Sequence, residues 1–261
     1  MQITSNPQLR LPREGDSDSS KGYPFMDYSS KKYYTIIKES KIITFDSGES
    51  SNRRDYIAAT LSYLLNIKGI PSVVLSTLDP TVTRLFLNRI PQNLRRKILN
   101  IGLFHTYLKV QQNFRSILEQ LCLSKEYRPY MELFFSAMRS IETDLLKQIS
   151  DLGVLCILDR SLVSNYLYAK IITENQKVQW NWDQIYNLRE FKPYYSFFIH
   201  SLSDKPTSFN LGSMYDTEEG INQSLRGVLP LIKKDVPIVE LDTHLTFEQN
   251  MSVIKSTLAN L

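Results

Sequence analysis

This sequence predicts a three-layer α/β fold, a central parallel sheet with helices on both faces. Three observations carry that reading. Short apolar runs recur at Ile42–Phe45, Pro71–Leu75, Val154–Leu158, Tyr195–Ile199 and Ile238–Leu241. Helical periodicity fills the intervals between them, and strands apolar on both faces belong to parallel sheets covered by crossover helices. The composition, 42% hydrophobic and 22% charged over 261 residues, supplies one sizeable core without requiring a second domain.

Residues 1–35 are polar and carry Pro7, Pro12, Pro24 and the run from Asp16 to Ser20. They lack apolar periodicity and read as a disordered tail, leaving 36–261 as the domain. Ile42–Phe45 is the first strand, and Tyr56–Ile67 a helix with Ile57, Leu61, Leu64 and Leu65 on one face, stopped at Lys68-Gly69. Pro71–Leu75 is the second strand. Asp79-Pro80 then opens a largely helical middle over about 81–150. Gly153 releases the chain into Val154–Leu158, followed by a helix from Ser164 to Thr173 and an irregular segment holding Trp180 and Trp182. Tyr195–Ile199, a helix near Glu218–Lys233, Ile238–Leu241 and a helix from about Thr246 complete the order.

Between the first strand and its helix lies Asp46-Ser47-Gly48-Glu49-Ser50-Ser51-Asn52-Arg53-Arg54-Asp55. Strand, small-residue turn and helix are the setting of a phosphate-binding loop. Where G-x-x-x-x-G-K-[ST] needs its two glycines, lysine and hydroxyl, the chain has Ser47, Asn52, Arg53 and Arg54. Asn52 can take a glycine-like conformation, whereas Arg53 is a longer, planar substitute for lysine and Arg54 cannot ligate magnesium. Gly48, Ser50 and Ser51 are left to compensate. Three further stretches accompany this loop: Leu133-Phe134-Phe135-Ser136-Ala137-Met138-Arg139, Asp159-Arg160-Ser161-Leu162-Val163-Ser164-Asn165-Tyr166-Leu167-Tyr168, and Phe191-Lys192-Pro193-Tyr194 before a strand.

In this order, from about Lys41 onward, these stretches resemble the thymidylate kinase branch of the P-loop nucleoside-monophosphate kinases. The stretch from Asp159 to Tyr168 is the most specific, similar to D-R-[YS]-x-x-S-x-x-A-Y with Leu167 in place of alanine; Tyr194 replaces an aspartate in the last. The resemblance implies a P-loop kinase fold, with Asp159 and Arg53 as catalytic candidates and Arg139, Arg160, Ser164 and Tyr168 around a nucleoside monophosphate such as dTMP. It also implies ATP and magnesium as cofactors of an active enzyme, and a homodimer. Phe104 is offered for stacking on a base and Arg84 for a displaced phosphate contact. Between Ser201 and Ile221 there is Lys205 and no arginine, a second departure on the ATP side. The expected protein is therefore thymidylate-kinase-like, with weakened or lost phosphoryl transfer. An active dTMP kinase and a non-catalytic assembly or nucleic-acid-associated subunit are the alternatives.

Other features point to no separate chemistry. His105, His200 and His244 are scattered, and no metal-ligand spacing exists, so no metal site is expected from the protein's own ligands. Cys122 and Cys156 form no disulfide framework, and Cys156 reads as a buried reduced thiol. A net charge of +4 is too small to argue for nucleic acid by itself, though it does not exclude it, and the Arg95-Arg96-Lys97 cluster reads as a solvated helix face. With no membrane-length apolar run and no hydrophobic signal core at the N-terminus, the expected setting is cytoplasmic, nuclear or an organelle matrix, not secreted.

Overall fold

The structure is a computed structural model and describes residues 42–47, 52–76, 80–121, 128–176, 181, 185–186, 193, 195–200 and 226–259. The predicted tail at 1–35, Gly48, Ser50 and Ser51, both tryptophans, and the stretch between Ser201 and Ile221 lie outside these residues. Five strands are present: β1 (Ile42–Ser47), β2 (Ser72–Ser76), β3 (Leu155–Asp159), β4 (Tyr195–His200) and β5 (Ile238–Asp242). They form one sheet in the order β2-β3-β1-β4-β5, with every neighbouring pair parallel.

Helices separate the strands: α1 (Asn52–Ile67), α2 (Pro80–Leu87), α3 (Gln92–Leu99), α4 (Gly102–Leu121), α5 (Arg128–Asp151), α6 (Leu162–Gln176) and α7 (Phe247–Ala259). A further helical segment covers 226–232. The helical middle read as one region is thus four helices. Pro91 stands at the N-cap of α3, where it lacks an N–H to continue α2 and disfavours helical backbone at Ile90. β1 and β3 both run further toward their carboxyl ends than their apolar runs do. Their last residues, Asp46, Ser47 and Asp159, are buried polar groups that hydropathy alone does not assign to a strand.

Alternation along the strands sorts the core into two layers. On one face Ile43, Phe45, Ile157, Phe197 and Ile199 pack with Ile57, Leu61 and Leu65 of α1 and with Met251, Ile254 and Leu258 of α7. On the other, Val73, Leu75, Cys156 and Leu158 pack beneath the helices from α2 to α5, while Phe198 meets Val163 and Leu167 of α6. These are the helices on both faces that the sequence predicts. The chain leaves β1 toward β2 and leaves β3 toward β4 in opposite directions across the sheet. Right-handed crossovers then place α1 and α6 on opposite faces, as their core clusters show. The neighbouring strands β1 and β3 are therefore a topological switch point, the place at which α/β sheets commonly take ligands.

Helix ends are built from local hydrogen bonds. Gly69, at φ 79°, closes α1: the Ile70 N–H bonds to the Leu65 carbonyl at 2.9 Å. Asn66 then clamps the start of β2, its amide donating to the Ser72 carbonyl at 2.8 Å and accepting from the Ser72 N–H at 3.0 Å. At α7, Thr246 and Gln249 cap each other, with Gln249 N–H to Thr246 Oγ1 at 3.2 Å and Thr246 N–H to Gln249 Oε1 at 2.8 Å. Among the described residues no helix is long and apolar enough to cross a membrane. We expect Asn66→Ala to lower the urea midpoint at unchanged m-value, a loss of about 1–3 kcal/mol, because it strips the buried Ser72 amide of its partner.

Candidate functional site

Parallel register brings the polar strand ends level with one another. Asp159 of β3 lies opposite Phe45 of β1 and Ser76 of β2. From above, the first turn of α1 delivers Arg54, whose guanidinium is buried. Its Nε donates to Asp159 Oδ1, its Nη1 to Ser47 Oγ, and its Nη2 to Asp55 Oδ1 at 2.9 Å. The other Asp159 oxygen accepts from Ser76 Oγ at 2.8 Å. A cation at the positive end of a helix is unfavourable by itself, and the two carboxylates offset it.

Titration follows from this packing. Burial opposes the charge on Arg54, but Asp159 and Asp55 more than offset it and raise its pKa, so the guanidinium stays cationic. Burial also opposes ionisation of Asp159; the Arg54 charge and hydrogen bond hold its carboxyl below the usual carboxylate range. For Asp55, whose side chain is 44% exposed, partial burial and then repulsion from Asp159 push the carboxyl up to about 7. Asp55 is thus the proton-bearing partner of Asp159 at mildly acidic pH.

Asp46, next to Ser47, serves a different helix. Its carboxylate accepts from Ser161 N–H and Oγ, both at 2.7 Å, and from Ser164 N–H at 3.1 Å and Oγ at 2.6 Å. Ser161 Oγ in turn accepts from the Val163 N–H at 3.1 Å, as an N-cap does. This starts α6 at Leu162, ahead of the Ser164 start the sequence predicts. The turn between Asp159 and Ser161 is tight: Arg160 sits in the left-handed region at φ 69°, with its N–H on the Phe45 carbonyl at 2.9 Å. A non-glycine residue there is a strained backbone, held by its surroundings. The Arg160 side chain lies over the Tyr168 ring, 5.7 Å from the centroid, at cation–π distance.

A second network adjoins the first. Arg139 on α5 is buried; its Nη1 pairs with Glu142, and its Nε and Nη2 donate to Asn165 Oδ1 at 3.3 and 3.2 Å. The Tyr107 hydroxyl donates to Glu142 Oε1 at 2.8 Å and lies 3.2 Å from the Ser76 carbonyl oxygen, to which Gln111 Nε2 also donates. Burial raises the Glu142 pKa against the pull of Arg139, and raises the Tyr107 phenol well above its ordinary value. Gln111 Oε1 and Asn165 Nδ2 are buried without a hydrogen-bond partner among the described residues. Cys156 is buried in the core as read from the sequence, its thiol pushed up to about 12 by burial, and takes no part.

The sequence candidates therefore converge unevenly. Ser47, Arg54 and Asp159 touch directly; Arg160 and Tyr168 touch each other. Arg139 is linked to Asp159 through Glu142, Tyr107 and Ser76. Ser164 is committed to Asp46. Asn52 and Arg53 begin α1, and their side chains lie outside the described residues, as do Gly48, Ser50 and Ser51. Phe104 is buried in the core, and Arg84 is exposed on α2. Ser76, Tyr107, Gln111, Glu142 and Asn165 are additional site residues. Glu142 alone carried a local signal, three residues from Arg139 on one helix face.

The fit of this site to magnesium can be tested on its donors. Asp159 and Ser47, the oxygen groups nearest the crevice floor, both bond the Arg54 guanidinium, and Arg54 itself has only donors to offer. These residues do not fit a magnesium ion. No protein-family model matches the chain, and no curated protein matches it.

Removing one partner of the buried pair leaves the other charge stranded. We expect Arg54→Leu to lose about 3–5 kcal/mol of stability in chemical denaturation, and Arg54→Leu with Asp159→Leu to recover most of that loss. Asp55, whose pKa is about 7 against 3.8 ordinarily, keeps its proton in the folded state where the unfolded chain has lost it. Its contribution to stability is therefore full in acid and lost as pH rises toward about 7. We expect Asp55→Asn to flatten the pH dependence of Tm across that window.

Proposed function

We propose that this protein is thymidylate-kinase-like, keeps a pocket of the nucleoside-monophosphate type, and has lost ordinary phosphoryl transfer. One observation carries this reading: the Arg54 guanidinium lies between Asp159 and Ser47, at the crevice floor where a phosphoryl-transfer site needs metal and phosphate oxygens. Such catalysis rests almost wholly on positioning and on charge neutralisation by metal ions and mobile cations. Here the charge is already neutralised, internally, by a side chain that cannot leave without stranding Asp159.

The acceptor side supports retention of a pocket. Arg139, Arg160 and Tyr168 stand beside the carboxyl ends of β1 and β3, the crevice where α/β sheets take ligands. Arg139 is shared with Glu142, so a bound phosphate has to compete for it, and affinity is modest rather than tight.

The test is direct. With ATP, magnesium and dTMP, we expect turnover of the full chain far below the ~1–100 per second of ordinary kinases. In the same buffer dTMP alone should raise Tm, while ATP with magnesium should not, because only a ligand of the folded state stabilises it. Turnover in the ordinary range would overturn the proposal. A Tm unmoved by dTMP would remove the pocket from it.

A further inference from the structure

Away from the strand ends, α2, α3 and α4 surround a cavity of about 500 Å³. Its floor is apolar, formed by Leu87, Phe104 and Leu108, all buried. Its rim is basic: Arg84, Arg95 and His105 reach it from three different helices, and no acidic side chain lines it among the described residues. Neither arginine has an ion-pair partner among the described residues. Arg95 makes only a long contact, Nη1 to Asn88 Oδ1 at 3.5 Å. His105 is fixed by Nε2 at 2.8 Å from the Leu99 carbonyl oxygen, with its ring edge-on to Phe104.

The basic run on α3 divides in a telling way. Arg96 and Lys97 are exposed, as a solvated face requires, whereas Arg95 is half-buried and turned to the cavity. An apolar hollow of several hundred Å³ with a few convergent polar groups has the make-up of a small-molecule site. Guanidinium groups without a carboxylate partner bind carboxylate or phosphate oxygens as charge-assisted donors.

We propose that this cavity binds a small aromatic anion, its ring seated against Leu87 and Leu108 and its anionic head held by Arg84 and Arg95. None of the lining residues belongs to the networks around Asp159 and Arg139, although Arg84 and Phe104 are the residues that the family resemblance offers for a phosphate contact and a stacked base.

Two fluorescent probes test it on the full chain near neutral pH: 1-anilinonaphthalene-8-sulfonate, an aromatic anion, and its uncharged analogue N-phenyl-1-naphthylamine. The anion should show one saturable site and bind at least about tenfold more tightly than the neutral probe. Arg84→Glu with Arg95→Glu should weaken the anion by about tenfold or more while a cooperative thermal transition is retained, since Arg84 is exposed and Arg95 half-buried. Asn88→Trp, which fills the mouth, should abolish saturable binding of either probe. Unsaturable binding, equal affinity for the neutral probe, or binding unaltered in either variant would overturn the proposal.

Discussion

Between α1 and β3 two unlike charges are taken out of water together, and much of the surrounding polar structure answers to that. Desolvating Arg54 and Asp159 costs several kcal/mol per ion, and the mutual attraction repays it only when every remaining lone pair and proton is met. Ser76 takes the second oxygen of Asp159, while Ser47 and Asp55 take the remaining arms of the guanidinium. The pair is weak evidence for stability as such. What it secures is geometry, because it joins residues 105 positions apart in sequence at one point above the sheet.

Ser76 extends that geometry to the rest of the molecule. Its hydroxyl holds Asp159, its carbonyl receives Gln111 and lies beside Tyr107, and its N–H donates to Thr83 Oγ1 at 3.2 Å. One residue at the end of β2 thus contacts α2, α4 and the ion pair at once. Asp46 does the equivalent for β1 and α6 with four hydrogen bonds. The strand ends are therefore tied to rigid elements by buried hydrogen bonds. Such pre-satisfied polar networks resist rearrangement, since breaking one bond exposes a buried group.

The sheet is legible in the sequence because a parallel strand buried on both faces must be an unbroken apolar run, as in Val73-Val74-Leu75 or Leu155-Cys156-Ile157-Leu158. Strand ends are less legible. Ser47 and Asp159 are polar yet buried, and their place depends on Arg54, which no periodicity connects to them. From sequence, position 54 reads as a lost metal ligand; that its guanidinium would reach Asp159 is a tertiary fact. Likewise Ser164 reads as a pocket group through its spacing from Tyr168, whereas its hydroxyl is taken by Asp46 on another strand. Arg139 and Glu142 form the exception, because the contact between them is local.

The central place of β1 also bears on how the chain is made. Its two neighbours are β3 and β4, paired through Ile42 with Cys156 and through Ile43 with Tyr195. On the ribosome, β1 is among the earliest described elements to emerge and yet has no partner strand until β3, at Leu155–Asp159, has been made. Through that interval its apolar edge is exposed, the condition under which nascent chains aggregate or recruit chaperones. A sheet that threads its first strand through the middle defers burial of that strand until late in synthesis.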